Sequence, residues 1–386
     1  MPATPTPLGL YIHWPYCRRI CPYCDFNVYK ARAYDGDLTE ALIADLAGWA
    51  DIAGKRAFTS IHFGGGTPSL MTPHDVERVI EAADRLFGLK TGAEIGLEAN
   101  PAEADALPDL AKAGINRLSV GVQSLDERSL ARLGRDHDAA KAIEAVGIAQ
   151  RAVERVSVDL IFAREGQSLT DWERELTAAI ALGTGHVSAY QLTLEPGTAF
   201  ARQAETGRLT LPDGDAAADF QELTYGVLGA ARLTPYEISN FARTPGDRSA
   251  HNSLYWTGAD WIGIGPGAHS RLFSSTTGGR LAAEAKEKPG DYIGAVNAAG
   301  RGSEAEIRLT PAEDFAERVL MGLRIAEGID RAALTEATGL SLDPGRISRL
   351  ASDGWITVTP ERVALTAQGR LLADRIGGEL AEPQYI

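Results

Sequence analysis

Short apolar runs alternate with longer amphipathic stretches from the start of the chain to about Thr193. Runs of this length predict buried strands, and the longer stretches carry apolar residues at helical spacing. Repeated strand–helix units imply a parallel sheet that is covered by helices on at least one face. The predicted strands are Leu8–Trp14, Phe58–Phe63, Glu94–Ala99, Arg117–Val122, Val156–Phe162 and His186–Leu194, and the clearest helices are Leu38–Trp49 and Pro73–Phe87, the second with Thr72 as its N-cap.

Six strand–helix steps are fewer than the eight that close a barrel. We therefore predict an α/β fold that is built on an open, partial (β/α)6 barrel over residues 1–240. In such folds the chemistry lies at the carboxyl ends of the parallel strands. The unusual polar motifs of this chain each lie at or just beyond the end of a predicted strand: Cys17 to Cys24, GGGTP at 64–68, Glu98, Gln123 and Asp159.

The pattern changes in the last third of the chain. Residues 241–303 are predicted to form a bridging region, which contains the motif HNSLYW (His251–Trp256). Residues 304–386 show three helical stretches and then a hairpin, an order that is typical of a winged-helix-like domain. That segment carries nine Arg, no Lys and fourteen Asp or Glu, a net charge of −5. A DNA-reading surface is basic, so we expect this domain to pack or to cover a site rather than to bind DNA.

Composition restricts the partners and the compartment. The 386-residue chain has 38 basic and 52 acidic residues, a net charge of −14, which argues against nucleic acid or an anionic membrane surface as a partner. The N-terminus has no basic segment followed by an apolar run, and no apolar stretch approaches the roughly 20 residues of a membrane span. We expect a cytoplasmic protein without stable membrane insertion. A homodimer is compatible with the sequence.

All three cysteines, Cys17, Cys21 and Cys24, lie within eight residues of one another. Structural zinc takes four protein ligands, and His13 is a poor fourth one because it lies inside a predicted strand. A redox CxxC pair would leave Cys17 unexplained, and unrelated buried thiols would be scattered along the chain. Iron–sulfur clusters are normally held by four Cys. Three would leave one iron open for a small molecule, and the spacing favours this fourth interpretation.

The run YIHWPYCRRICPYCDFN resembles the radical S-adenosylmethionine (radical SAM) superfamily, whose defining spacing is Cys-x3-Cys-x2-Cys. More narrowly, it is similar to the branch that contains oxygen-independent coproporphyrinogen III dehydrogenase and the haem chaperone HemW. The resemblance covers nearly the whole chain. It implies a [4Fe–4S] cluster on the three cysteines, an open iron that binds the amino and carboxylate groups of SAM, and an electron donor for the cluster. The cofactors carry the chemistry while the protein orients them.

The same resemblance assigns contacts with SAM. The glycine-rich turn would meet the methionine amino group, since successive glycines let the backbone approach a ligand closely. Arg135 would pair with the SAM carboxylate through its guanidinium fork, and Asp159 would accept hydrogen bonds from the ribose. The full set that the resemblance implies is Tyr11, Tyr23, Gly65, Gly66, Thr67, Glu98, Gln123, Arg135 and Asp159.

Two features indicate which branch the chain resembles. The dehydrogenase has a fourth Cys two residues after the third, and here that position is Phe26. The motif HNSLYW is similar to the His-Asn-x-x-Tyr-Trp motif of the chaperone, so His251, Tyr255 and Trp256 are candidate haem contacts. The resemblance therefore favours a haem chaperone that delivers haem to acceptor haemoproteins. Porphyrinogen dehydrogenation, a radical SAM reaction on another substrate, and the question of whether SAM is cleaved or only bound stay open.

One segment departs from the pattern of both branches. The family commonly has Tyr-Gly-Leu-Pro-Gly-Gln after Asp-Leu-Ile, whereas this chain has Phe162 followed by Ala163, Arg164 and Glu165. Two charged residues therefore stand where the family has small and apolar ones. The local structure of this loop cannot be carried over from the resemblance.

Overall fold

The computed structural model describes residues 6–31, 37–273 and 279–385. Up to residue 308 the described strands are β1 (Leu8–Trp14), β2 (Tyr16–Cys17), β3 (Tyr29–Lys30), β4 (Phe58–Gly65), β5 (Leu89–Ala99), β6 (Arg117–Gln123), β7 (Arg155–Phe162), β8 (His186–Gln191), β9 (Thr234–Pro235), β10 (Asn240–Ala242), β11 (Asp260–Ile264), β12 (His269–Phe273), β13 (Arg280–Ala285) and β14 (Ser303–Arg308). Twelve of them form one sheet in the order β14-β13-β12-β11-β1-β4-β5-β6-β7-β8-β10-β9. The other two, β2 and β3, pair with each other.

The six predicted strands are β1 and β4 to β8, and each pairs in parallel with the next. This confirms the open α/β barrel, whose outermost strands in the described ranges are β14 and β9. The last predicted strand is shorter than expected. It ends at Gln191, and Leu192 follows with its amide bonded to the carbonyl of Phe162 at 2.9 Å.

Helices cover the outer face of the sheet, as the amphipathic stretches predict. Thr72 caps its helix as expected, since its side chain accepts a hydrogen bond from the amide of Asp75. Trp49 and Trp172, on two of these helices, are fully buried against the sheet. The helices up to residue 299 are α1 (Asp37–Ala53), α2 (Pro73–Phe87), α3 (Leu107–Lys112), α4 (Glu127–Arg132), α5 (Ala139–Ala152), α6 (Leu169–Ala181), α7 (Ala199–Glu205), α8 (Gly214–Ala230), α9 (Ala250–Trp256) and α10 (Pro289–Ala299).

The region predicted as a bridge contributes strands to the same sheet. β11 pairs in parallel with β1 on the side opposite β4, and β12, β13 and β14 continue from it in antiparallel order. After β8 and α8 the chain thus returns to β1 and extends the sheet on that side. The three-part division at residues 240 and 303 stays a prediction.

The C-terminal segment has its own apolar core and the predicted order of helices and hairpin. A three-stranded antiparallel sheet, β15-β18-β17, packs with helices in the sequence helix, strand, helix, helix, strand, strand. No helix in the described ranges is long and apolar enough to cross a membrane. The elements are α11 (Pro311–Gly322), β15 (Ile329–Asp330), α12 (Arg331–Thr338), β16 (Leu340–Ser341), α13 (Pro344–Ser352), β17 (Ile356–Val358), β18 (Arg362–Leu365), α14 (Ala367–Arg370), α15 (Ala373–Leu380) and β19 (Gln384–Tyr385).

Candidate functional site

The three cysteines lie on one loop that follows β1, and the end of this loop (β3) pairs with its beginning (β2). Cys17 stands on β2, which pairs with β3, so the amide of Ala31 bonds to the carbonyl of Cys17 at 2.7 Å. A turn between Cys21 and Cys24 brings the amide of Cys24 to 3.2 Å from the carbonyl of Cys21. The loop is thereby closed, and its three thiols are held at the carboxyl ends of the barrel strands.

The thiols are partly shielded from solvent. Cys17 is buried, while Cys21 and Cys24 are half-buried. Burial raises the pKa of the Cys17 thiol and raises that of Cys24 to about 11, so a bound metal would have to displace these protons. In the part of the chain that the structure describes, no three His, Cys, Asp or Glu side chains are close enough to hold a single metal ion. A cubane cluster separates its thiolates, because each binds a different iron.

A cavity of about 430 Å3 opens beside the cysteine loop, a volume in the range of small-molecule sites. It reaches from the loop down into the barrel. Every cluster and SAM residue predicted from the sequence lines it except Tyr11. Those residues are Cys17, Cys21, Tyr23, Cys24, Gly65, Gly66, Thr67, Glu98, Gln123, Arg135 and Asp159.

The glycine-rich turn lies against the first strand and the start of the cysteine loop. The amide of Gly66 bonds to the carbonyl of Trp14 at 2.7 Å, and the amide of Thr67 bonds to that of Tyr16 at 2.9 Å. Gly65 has a φ of 103°, and a Cβ there would lie 2.6 Å from the His13 ring. Only glycine satisfies both conditions, so the backbone itself forms this wall of the cavity.

Glu98 ends β5 with its carboxylate open to the cavity, where 41% of the side chain is exposed. Its Oε2 accepts a hydrogen bond from the amide of Gly65 at 3.2 Å, and its Oε1 lies 3.3 Å from Nε2 of His62. The sequence did not single out His62. Both partners fix the carboxylate while leaving one face of it free for a ligand.

Gln123 ends β6, and Asp159 lies on β7, three residues before that strand ends. Gln123 has a φ of 64°, a left-handed backbone that costs energy for a residue with a side chain and that is common at functional sites. The hydroxyl of Ser119 donates to both carboxylate oxygens of Asp159, at 2.9 and 2.7 Å, and Ser157 donates at 3.1 Å. Burial raises the pKa of Asp159, while these hydroxyls oppose the rise.

Arg135 links the cysteine loop to the barrel. Its Nη1 lies 3.3 Å from the sulfur of Cys21, and its Nη2 lies 2.5 Å from the side-chain oxygen of Asn100. Its Nε is buried and has no hydrogen-bond partner among the described residues. A buried guanidinium N–H without a partner in a cavity wall is suited to an anionic ligand.

The two predicted tyrosines differ in position. Tyr23 lies in the cavity wall and packs against Phe200, with ring centroids 6.3 Å apart. Tyr11 lies behind the wall, where its hydroxyl is 3.0 Å from Nδ1 of His13. Burial raises the pKa of Tyr11 well above its ordinary value, so this residue stays neutral and supports the wall from behind.

The three haem candidates from HNSLYW lie on α9. His251 is 1% exposed, and both its ring nitrogens have partners: Ser60 Oγ at 2.9 Å and the hydroxyl of Tyr255 at 2.7 Å. The Trp256 ring packs under the guanidinium of Arg324, 5.1 Å away. In the described structure these three side chains are not among those that line the cavity. Their contact with haem stays a prediction.

The atypical loop after β7 turns its charges away from the cavity. Ala163 has a φ of 56°, and Arg164, 5% exposed, forms a buried ion pair with Glu175. Glu165 pairs with Arg132 on α4 at 3.1 Å. The charged residues thus replace the small and apolar ones of the family pattern without entering the site.

The site fits the groups that the sequence implies. Three thiols on one loop suit an iron–sulfur cluster, and the cavity beside them has a glycine cradle that a Cβ would fill. Arg135 supplies an unpaired buried donor for a carboxylate, and Glu98 and Asp159 supply acceptors for an amino group and hydroxyls. Sulfur ligands and this donor set match a [4Fe–4S] cluster with SAM bound next to it.

Comparisons with known proteins identify the superfamily. A family model described as the radical SAM superfamily matches residues 11–178, and one described as the HemN C-terminal domain matches residues 309–372. The fold and the site therefore define a protein of the radical SAM class. The structure of coproporphyrinogen III oxidase (HemN) from Escherichia coli shares the fold, with a TM-score of 0.80, 23% identity, and coverage of 98% of this chain and 90% of that one.

Two relatives narrow the family. Radical S-adenosyl methionine domain-containing protein 1, mitochondrial, from Bos taurus is 40% identical over 338 residues, 85% of this chain and 76% of its own. Heme chaperone HemW from Escherichia coli is 35% identical over 378 residues, 96% of this chain and 97% of its own. The chain belongs to the radical SAM superfamily and, within it, to the family of these two proteins.

Proposed function

We propose that this protein is a haem chaperone: it binds a [4Fe–4S] cluster, SAM and haem, and delivers the haem to acceptor haemoproteins. The observation that carries the proposal is the cavity beside the cysteine loop, which is lined by the cluster and SAM residues and has Phe26 at its mouth. Relatives named heme chaperone HemW, 32–35% identical over nearly the whole chain, support the same function.

The residues divide into two groups by what they would hold. Cys17, Cys21 and Cys24 would hold the cluster, and when bound it supplies an open iron for SAM and an electron for the SAM sulfonium. Glu98 and the backbone of the glycine-rich turn would bind the amino group, and Arg135 the carboxylate. Gln123, Asp159 and Tyr23 would orient the nucleoside and exclude water. Tyr11 supports them from behind the wall.

The cavity mouth offers an apolar surface for a flat, largely apolar ligand. Phe26 and Ile20, on either side of Cys21 and Cys24, are 60% and 47% exposed and line the mouth together with Val28. Exposed large apolar side chains that group together mark interaction sites. We propose that one face of haem rests on this rim, above the cluster.

The remaining partners follow from this chemistry. A cluster that transfers an electron needs a donor, and a cargo needs an acceptor, so we propose contacts with an electron donor and with haemoproteins. A homodimer stays a prediction. The clustered thiols are typical of a reducing compartment, which supports a cytoplasmic location.

The function is tested on one anaerobic, cluster-loaded sample. Haem added to it is expected to bind with a shift of the Soret band. Coproporphyrinogen III, given with SAM and a reductant, is expected to stay unconverted because Phe26 replaces the fourth cysteine. Formation of protoporphyrinogen IX, or a haem titration without any spectral shift, would contradict the chaperone assignment.

The position of haem at the rim has its own test. Phe26→Ser is expected to raise the Kd for haem at least about tenfold, because burying a Phe side chain contributes roughly 1.5–3 kcal/mol. Phe273→Ser is the matched control, since Phe273 is 52% exposed and lies on β12, away from the cavity. Equal haem affinities for the two variants, measured by Soret titration, would show that haem does not bind at this rim.

A further inference from the structure

The aromatic rings of Tyr11, His62 and His251 form a cluster directly behind the carboxylate of Glu98. The ring of His62 stacks on that of His251, with centroids 5.0 Å apart and an interplanar angle of 17°. Tyr11 lies beside both, with centroids 6.4 Å from His62 and 6.3 Å from His251. His62 lines the cavity, whereas the other two rings lie in the layer behind it.

Within this ring cluster, His62 is the residue that contacts Glu98 in the proposed SAM site. Because a carboxylate accepts hydrogen bonds, Nε2 of His62 is the donor across the 3.3 Å contact with Glu98. The ring fits there because the neighbouring residue on β5 is Gly96, where a Cβ would lie 2.7 Å from His62 Nδ1. One Glu98 oxygen is thus held by His62 and the other by the amide of Gly65.

Hydrogen bonds to both ring nitrogens hold His251 in place. Ser60, two residues before His62 on β4 and therefore on the same face, bonds to Nδ1, and Tyr255 bonds to Nε2. The helix that carries His251 approaches β1 closely because residue 9 is glycine, where a Cβ would lie 2.6 Å from Leu254. Burial lowers the pKa of His251 well below its ordinary value, so the ring stays neutral next to His62.

We propose that His62 is a positioning residue that holds the Glu98 carboxylate in its SAM-binding orientation, and that His251 of HNSLYW fixes the plane of the His62 ring. The motif would then act on the SAM site from behind the wall instead of binding the haem iron. This inference rests on the proposed binding of SAM at Glu98.

The first test measures the Kd for SAM on the anaerobic, cluster-loaded protein, together with the change that SAM causes in the EPR spectrum of the reduced cluster. His62→Ala is expected to raise the Kd about tenfold and to weaken the spectral change, because it removes a hydrogen bond to a charged group. His62→Gln keeps an N–H at the position of Nε2 and is expected to stay within about threefold of the unmodified protein.

The second test separates His251 as a support from His251 as a haem ligand. His251→Phe keeps a ring against His62 but cannot bind iron, so SAM and haem affinities are both expected to stay within about threefold. His251→Ala is expected to weaken SAM about tenfold and to leave haem affinity unchanged. Thr224→Val controls for lost stability, since it removes a buried hydrogen bond to Trp172 that lies between α6 and α8.

The outcomes distinguish the inference from the function it rests on. If His62→Ala binds SAM as tightly as the unmodified protein, the positioning role of His62 is wrong. If His251→Ala binds SAM that tightly, or if His251→Phe loses haem, the role given to His251 is wrong. A Thr224→Val variant that weakens SAM as much as His62→Ala would also overturn it. If the unmodified, cluster-loaded protein binds no SAM, the proposed function itself fails.

Discussion

Replacing Cys17, Cys21 and Cys24 together by alanine is expected to abolish iron binding. Anaerobic reconstitution of the unmodified chain should give about four irons and a broad visible absorbance, because thiolates are the ligands of such clusters. The variant should bind close to none, since the chain contains only these three cysteines. The readouts are iron and sulfide per chain and the visible spectrum. The barrel core does not include these side chains, so the far-ultraviolet circular dichroism should be preserved.

Ile20→Ala serves as the control for this experiment. It changes the same exposed loop, between the first and second ligands, without removing a thiol. Its iron content should equal that of the unmodified chain. Zinc bound stoichiometrically in place of iron, or a triple variant that keeps its iron, would refute the cluster assignment and with it the proposed SAM site.

Local signals explain why much of the fold could be predicted. β1 was predicted with its observed bounds, Leu8–Trp14, and so was the helix Pro73–Phe87 with its Thr72 cap. In each case the signal lies within a few residues: an apolar run for the strand, and a cap followed by proline for the helix. The cysteine loop is equally local, because its three ligands lie within eight residues of sequence.

The sheet beyond β8 could not be predicted in this way. β11 pairs with β1 although about 250 residues separate them, and no pattern within either segment specifies that partner. The apolar and polar pattern of residues 241–303 predicts only a bridging region. The pairing depends on which edge of the barrel is left open after six strands, which is a property of the assembled sheet.

His62 was missed for a different reason. Its strand, FTSIHF, looks like an ordinary buried strand, but Ser60 and His62 are two residues apart and face the same side. The same spacing recurs at Ser157 with Asp159 and at His186 with Ser188, and these pairs all lie close to the barrel interior. Polar residues repeated with a period of two in several barrel strands are a signal that could have found the site.

Glu94→Gln is expected to lower the free energy of unfolding by about 3 kcal/mol, the typical effect of breaking a buried ion pair from one side. Glu94 is 2% exposed and joins three parts of the molecule. Its carboxylate accepts from Arg155 at 2.6 Å and from the amides of Ala250 and His251 at 3.0 and 2.9 Å. Glutamine would leave the buried Arg117 and the half-buried Arg155 without their counter-ion. Chemical denaturation measures the loss.

Asp109→Asn, which breaks an exposed ion pair with Lys112, is the matched control and should change stability by less than about 0.5 kcal/mol. The pH dependence is a second check. Burial raises the pKa of Glu94, but Arg117, Arg155 and the α9 amides outweigh it, so the folded-state pKa lies below the ordinary 4.5. The carboxylate therefore stabilises the fold above about pH 5, and the gap between the unmodified protein and Glu94→Gln should narrow as the pH falls through the folded-state value. A gap that is constant down to about pH 3 would show that packing, and not the charge of Glu94, accounts for the loss.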